Sequence, residues 1–404
     1  MIILLARLPK IIKLILVMIK TTTAALFFLS AGIFTSVSII SVYQVLFAVP
    51  LVYYTFIAIK EKNAKLPVSA WFLLAFSGVA LLSLGVNFEL LPRPGKNFGR
   101  LKYFLFGVGG INVFRVWLKE ASLKTKEIII DVFFWSVILA GAFATYEYVT
   151  GEDNRAKGLT DTMRYGYGSA MMLLTLLSAI LHRFVSLKKA IPVFLIGFLG
   201  MYLTYTRGAL LGFMCGLPFV LYFYKPKLGL TLGGLALLGV LGMGGMYLYG
   251  SGEHESRFLV NKNNASDVIR RSQWKAAIIA IQEKPVLGYG LSNFHSQLKR
   301  IKTDYDLDAK DYNDAHSHNL FLEIASGTGL IGLVFFLGWV ISWAWESFKA
   351  GGLIRAMVVP FGVAFVVSSQ FEVTFDANNA SMIFFLYALS SAFISKKVRP
   401  QVPQ

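Results

Sequence analysis

A single cysteine in 404 residues, Cys215, excludes an internal disulfide and any CxxC redox or zinc pair. It lies in the apolar run Gly212–Tyr224 and reads as a small packing residue. Charge is equally sparse: 15% of residues are charged, against about 25% in soluble domains. No GxxxxGK[ST] phosphate loop is present and no dinucleotide-binding signature is read, so no ATP, redox or other cofactor is expected. Acidic residues are few, 22 against 39 Lys and Arg, which leaves a net charge of +17. In a soluble chain that excess would suggest nucleic acid. Here the membrane and anionic lipid-linked ligands are the expected partners.

What is abundant is apolar surface, at 56% hydrophobic residues and a mean hydropathy of +0.61. A membrane-spanning helix needs about 20 such residues. Apolar runs fall near 22–38, 42–59, 68–86, 102–118, 128–149, 168–183, 190–205, 208–224, 228–248, 319–343, 354–373 and 379–395. They predict an all-α integral membrane protein of about twelve spans. The N-terminus carries Arg7, Lys10, Lys13 and Lys20 without a cleavage site, and reads as an uncleaved amphipathic segment at the membrane surface.

Short basic connectors, such as Lys60–Lys65, Lys119–Lys126 and Arg183–Lys189, alternate along the chain and place both termini in the cytoplasm. The opposite face then receives Arg93, Lys96, Arg100, Arg155, Lys157, Arg164, Arg207, Arg257, Arg270 and Arg271, which that rule does not predict. Taken singly, each is a solvated loop charge. Taken together, they point to a shared anionic ligand. Glycine-rich stretches such as Gly107–Gly110 are assigned to helix packing.

The long outer segment is predicted to hold a helix over Asp267–Glu283, capped by Ser266 and left through Gly288-Tyr289-Gly290. Arg270 and Trp274 share a face of that helix. An irregular acidic stretch, Asp304–Asp314, leads to Ala315-His316-Ser317-His318-Asn319 at the mouth of a span. A histidine there can take a proton near neutral pH and suits a general base. A metal could use His316, His318 and Asp314 or Glu323, but no third ligand has convincing spacing, so none is assigned. Arg207, within Tyr205-Thr206-Arg207, sits at a membrane boundary, where a planar guanidinium recognises phosphate best.

His318-Asn319, nine residues, Gly329 and then Gly332, with Tyr205-Thr206-Arg207 and with Arg270 four residues before Trp274, resembles the O-antigen ligase family. The resemblance extends to the span layout with a large outer loop. It implies a GT-C-like membrane glycosyltransferase of a Gram-negative inner membrane, with its site facing the periplasm. Such an enzyme moves O-antigen from undecaprenyl pyrophosphate to lipid A–core oligosaccharide, inverting the anomeric carbon without a metal. The family's key residues map onto Arg207, Arg270 and His318 as catalytic groups. His316, Asn319, Arg271, Arg155, Arg164, Arg93 and Tyr205 are expected to bind substrate. The doubled Arg270-Arg271 leaves that correspondence open by one residue.

The expected organisation is a transmembrane bundle over 1–249, a periplasmic region over 250–318 and C-terminal spans over 319–404. The chain is expected to act as a monomer in the bilayer, without nucleic acid. An O-antigen polymerase or an oligosaccharyltransferase would use the same donor. A transporter of lipid-linked sugars is a reading of another class, disfavoured because the cations cluster on one side and no repeat is seen.

Overall fold

Helices begin where a short polar side chain can accept the first orphan N–H groups. In the computed structural model, which describes residues 2–61, 65–151, 155–235, 265–307, 316–375 and 377–396, all regular structure among the described residues is helical. Ser36 caps α2 (Val37–Lys60) and Ser122 caps α6 (Leu123–Thr150). Asp161 Oδ1 accepts the N–H groups of Met163 and Arg164 at the start of α7 (Thr162–Leu181), at 3.0 and 2.9 Å. The remaining long helices are α1 (Ile2–Gly32), α3 (Val68–Val86), α5 (Leu101–Glu120), α8 (Leu187–Leu203) and α9 (Arg207–Tyr224). A five-residue helix, α4 (Pro94–Phe98), precedes α5. Beyond the segment 236–264 come α10 (Ala265–Glu283) and α11 (Phe294–Asp304). The chain closes with α12 (Leu320–Ala350), α13 (Gly352–Ser368) and α14 (Ala377–Lys396).

Eight helices among the described residues are long and apolar enough to cross a membrane: α1, α2, α3, the α4–α5 unit, α6, α9, α12 and α14. The protein is therefore a multi-pass membrane protein. The apolar runs assigned to α7, α8 and α13 are helical but shorter or less apolar, and most of the run 228–248 lies outside the described residues.

Three boundaries differ from expectation. The N-terminal segment is not separate from the first span: α1 is continuous over 31 residues, and the break falls at 33–36 rather than near 40. Helix α10 begins at Ala265, so Ser266 is inside it rather than its cap. The stretch after Gly290 contains α11, whose Phe294, Leu298 and Ile301 bury one face against Ala276, Ala277 and Ala280 of α10.

Helix α9 packs on α13 and α7, α12 on α3, and α14 on α5. Gly212 and Gly216 bring α9 against α13, where an added Cβ would stand 3.0 Å from the Ala364 carbonyl and 2.9 Å from that of Pro360. The centre of the bundle is aromatic: Trp339 stacks on Phe384 at 5.2 Å between ring centroids, and Phe375 lies 5.5 Å from Phe384 and 5.7 Å from Phe336. Arg115, which a transport path could have used, donates to Asn112 at 3.0 Å and to the Lys65 carbonyl, and is satisfied locally.

Helix α12 is broken at Gly329, whose φ of 72° and ψ of −179° suit only glycine. The turn leaving α10 occupies the break. Leu330 N–H donates to the Pro285 carbonyl at 2.7 Å, Tyr289 N–H to Ser326 at 2.9 Å and Gly290 N–H to Gly327 at 2.8 Å. From α3, the Ser83 hydroxyl lies in hydrogen-bond range of the Leu287 and Gly327 carbonyls. A backbone seam thus fixes α10 and α11 to the helix that begins at His318-Asn319. The string Gly327-Thr328-Gly329-Leu330-Ile331-Gly332 does spell GxGxxG, but it belongs to this helical seam and not to a strand-to-helix turn, so it is no nucleotide signature.

Candidate active site

A cavity of about 860 Å³ lies where α4, α5, α7, α11, α12 and the loop 369–375 meet. Its lining includes Arg93, Lys96, Arg100, Arg164, His295, His316 and His318, with Asp161, Glu323 and Glu372 as the acids and Phe104 and Phe375 as aromatic walls.

His316 and His318 are brought together by a bend that places His318 at φ 48°, a left-handed conformation that costs about 1–3 kcal/mol in a non-glycine residue. Asn319 then caps α12, its Oδ1 accepting from Phe321 and Leu322 N–H at 2.9 and 3.1 Å while its amide donates to Gln370. Asn319, expected to bind substrate, is thus committed to holding the bend. Tyr205 and Ser292 are also left-handed, at φ 48° and 54°, beside Arg207 and in the cavity wall respectively. Such conformations cluster where a fold positions side chains for work.

The histidines meet at Glu372, a residue with no role in the sequence reading. Glu372 Oε2 lies 3.1 Å from His318 Nδ1 and Oε1 lies 3.3 Å from His316 Nε2; Oε1 also accepts the Val373 N–H at 2.9 Å. The imidazole rings are 4.3 Å apart, edge to face. Burial works against a charge on Glu372, but the His318 hydrogen bond and the two positive-leaning rings outweigh it and hold the carboxyl below its usual range. An ionised Glu372 accepts and cannot donate, so the facing nitrogens, His318 Nδ1 and His316 Nε2, carry the protons. The other nitrogen of His316, Nδ1, accepts the His318 backbone N–H at 3.2 Å. His318 Nε2 is left with its lone pair and no protein partner among the described residues. Only one signal for Glu372 was available in the sequence: with Asp376, it is one of two acids between Arg355 and Lys396.

The arginines gather a short way off. Arg207 is the first residue of α9, where the N–H groups of Thr206 and its neighbours open the helix. Arg155 donates to the Thr204 carbonyl at 3.0 Å and reaches the Thr206 hydroxyl at 3.5 Å. Glu372, Arg270, Arg155 and Arg207 all act electrostatically on the hydroxyl of Tyr167, which lines the cavity, so three cations from three segments lie within electrostatic range of it. Arg270 is half-buried and Arg271 exposed. Arg164 is in the cavity wall, bridged to Asp161 at 2.9 Å. The Tyr205 hydroxyl pairs with that of Tyr148 at 3.0 Å, outside the cavity lining.

Residues 192–337 match the O-antigen ligase family. Within the matched segment lie Arg207, Arg270, His316 and His318; Arg93, Arg155 and Arg164 precede it and Glu372 follows it. An uncharacterized protein of Haemophilus influenzae is 26% identical over 281 residues, covering 63% of this chain and 69% of its own. The family match supports a membrane glycosyltransferase-like role, and lipid-linked substrates fit the helix content.

A metal is the other chemistry this geometry allows. One nitrogen each of His316 and His318 and a Glu372 oxygen all lie within 4.8 Å of one another. The acid differs from the two considered in the sequence: Asp314 lies outside the described residues, and Glu323 Oε2 accepts the Ser317 N–H at 3.0 Å. A divalent cation would need the protons between the rings and Glu372 displaced.

Proposed function

We propose that this protein is an O-antigen ligase, transferring a glycan from undecaprenyl pyrophosphate to a hydroxyl of lipid A–core at the periplasmic face of a Gram-negative inner membrane. The observation that carries this reading is the state of His318: Nδ1 is tied to Glu372 and Nε2 is left over at the cavity. That is the arrangement of a general base whose tautomer is set by a carboxylate behind it. His316, with both nitrogens engaged, holds the bend and Glu372.

In the reaction, the acceptor hydroxyl oxygen forms a bond to the anomeric carbon as the bond from that carbon to the pyrophosphate oxygen breaks. The proton passes to His318 Nε2, and the electron pair leaves with undecaprenyl pyrophosphate. A single displacement inverts the anomeric carbon. Pyrophosphate needs charge stabilisation more than an acid, which Arg207, Arg155 and Arg270, whose charges reach Tyr167, would supply. Two lipid-anchored substrates meeting in one leaflet provide proximity without a large soluble domain. Resident metal chemistry is not part of this mechanism.

The test is purified enzyme with lipid-linked O-antigen and lipid A–core, in buffer with a chelator. Glycan joined to lipid A–core supports the ligase. Polymer lengthening on the carrier with bare lipid A–core would make the protein a polymerase. Silencing by the chelator, with restoration by zinc or magnesium, would make His316, His318 and Glu372 metal ligands.

A further inference from the structure

The cavity is lined by a group of cations that the transfer mechanism does not use. Arg93 precedes α4 and Lys96 lies within it; both are exposed, and both line the cavity. Neither makes an ion pair or side-chain hydrogen bond among the described residues. The cavity's own acids are committed elsewhere: Asp161 to Arg164 and the cap of α7, Glu323 to Ser317, and Glu372 to the two histidines. Nearby Arg100 spends one N–H on the Phe375 carbonyl at 2.8 Å. On the facing α11, burial together with the charges of Lys96 and Arg93 holds the His295 ring below the usual histidine range. The charges of both cations thus act on the cavity wall, and no acid among the described residues pairs with either.

We propose that Arg93, Lys96 and Arg100, facing His295 across the cavity, form a subsite for a phosphate monoester carried on the glycan of the acceptor. This rests on the ligase reading above and assigns a part of the same cavity to the second substrate. The donor's pyrophosphate has its own cations, Arg155, Arg207 and Arg270 around Tyr167, drawn from other segments. A planar guanidinium and a flexible ammonium three residues apart suit a dianionic oxygen cluster at variable depth. Because Arg93, Lys96 and Arg100 line the same cavity as His318, the bound phosphate must be close in the saccharide to the attacked hydroxyl. A phosphate there would fix which hydroxyl faces His318, so the subsite would set acceptor register as well as affinity.

Phosphate in this position could come from the acceptor or from a bilayer headgroup, and the two sources separate experimentally. The enzyme is placed in phosphatidylcholine nanodiscs, and its equilibrium binding of lipid A–core is measured with native acceptor and with acceptor dephosphorylated by aqueous hydrofluoric acid. Wild type should bind the phosphorylated form about tenfold more tightly, the scale of a charge-assisted hydrogen-bond pair. The double variant Arg93→Gln/Lys96→Gln should bind both forms alike. Both side chains are exposed, so the variant should fold, and unchanged binding of the lipid-linked donor checks that it has. Equal affinity of wild type for the two acceptors, or a preference that survives in the variant, overturns the subsite. Affinity that ignores acceptor phosphate but falls when phosphatidylglycerol is added gives the cations to bilayer headgroups and also overturns it. Transfer measured on the same discs answers a different question: preferential binding without transfer leaves the subsite standing and sinks the ligase.

Discussion

Two carboxylates among the described residues are held below their usual range by cationic neighbours, and they end differently. Glu283, on α10, is gripped by Arg300 of α11 with contacts of 2.6 and 3.2 Å, by the Tyr305 hydroxyl at 3.2 Å and by the Tyr289 hydroxyl. The Arg300 hydrogen bond leads the factors that lower its proton affinity, and the Tyr289 hydroxyl is pushed up to about 12 by burial and by its bond to Glu283. Lys284 closes the group, donating to Asn87 at 2.7 Å with its ammonium 4.7 Å from the Tyr289 ring centre. Each charged head in that cluster is answered by another member. Glu372 is as firmly held, but its chain of hydrogen bonds runs through His318 and stops at a nitrogen facing the cavity. A closed network serves as a brace, whereas one left open at the cavity is equipped to move a proton.

The sharpest way to break that contrast is to remove the open end. His318→Gln should lower transfer by about a hundredfold to ten-thousandfold while donor binding persists, since a positioned base contributes on that scale. Retention of more than about a tenth of the wild-type rate would exclude a base at this position. Arg207→Lys comes next. It keeps the charge but loses the planar fork, and should cost about a hundredfold in kcat, the scale of one transition-state donor. Near-normal turnover would reduce Arg207 to a side chain anchored at the membrane boundary.

Glu372→Gln tests the link itself. An amide can still hydrogen-bond His318 but no longer fixes which nitrogen carries the proton, so kcat should fall by at least about tenfold. The Michaelis constant for the acceptor and the affinity for the donor should stay level. A variant that loses both in proportion would show Glu372 to be a structural strut, and the comparison with Glu283 would lose its point.

These residues were unequally legible. His318-Asn319 and Gly329 could be read because their constraints are local: a cap, a bend and a positive φ within a dozen residues. Arg207 could be read because a guanidinium at a membrane boundary is costly without a purpose. Glu372 could not, since its partnership with His318 spans 54 residues and leaves no spacing to detect. Nor could α11, whose short apolar stripe of Phe294, Leu298 and Ile301 is diluted by Lys299, Arg300 and Lys302. The count of twelve spans came from apolarity alone. Helices α7 and α8 were counted on that ground, yet each is too short or not apolar enough to qualify as a span by itself, and both pack on neighbouring helices.

The smallest effect should come from the closed network, through Arg300→Ala. The Arg300 side chain is 42% exposed and that of Glu283 20%, so solvent screens the pair and its loss should cost less than about 1 kcal/mol. Transfer should be almost unchanged, because the cluster braces α10 against α11 and none of its members lines the cavity. The pH dependence has a definite sign. Glu283 has a depressed folded-state pKa, so its contribution is present above the ordinary carboxylate range and fades as pH falls through the folded value. Thermal unfolding of wild type and Arg300→Ala in detergent should therefore differ most at neutral pH and converge in acid. A difference that widened in acid would mean that Arg300 acts on something other than Glu283. A large loss of transfer at neutral pH would mean that this network, too, reaches the site.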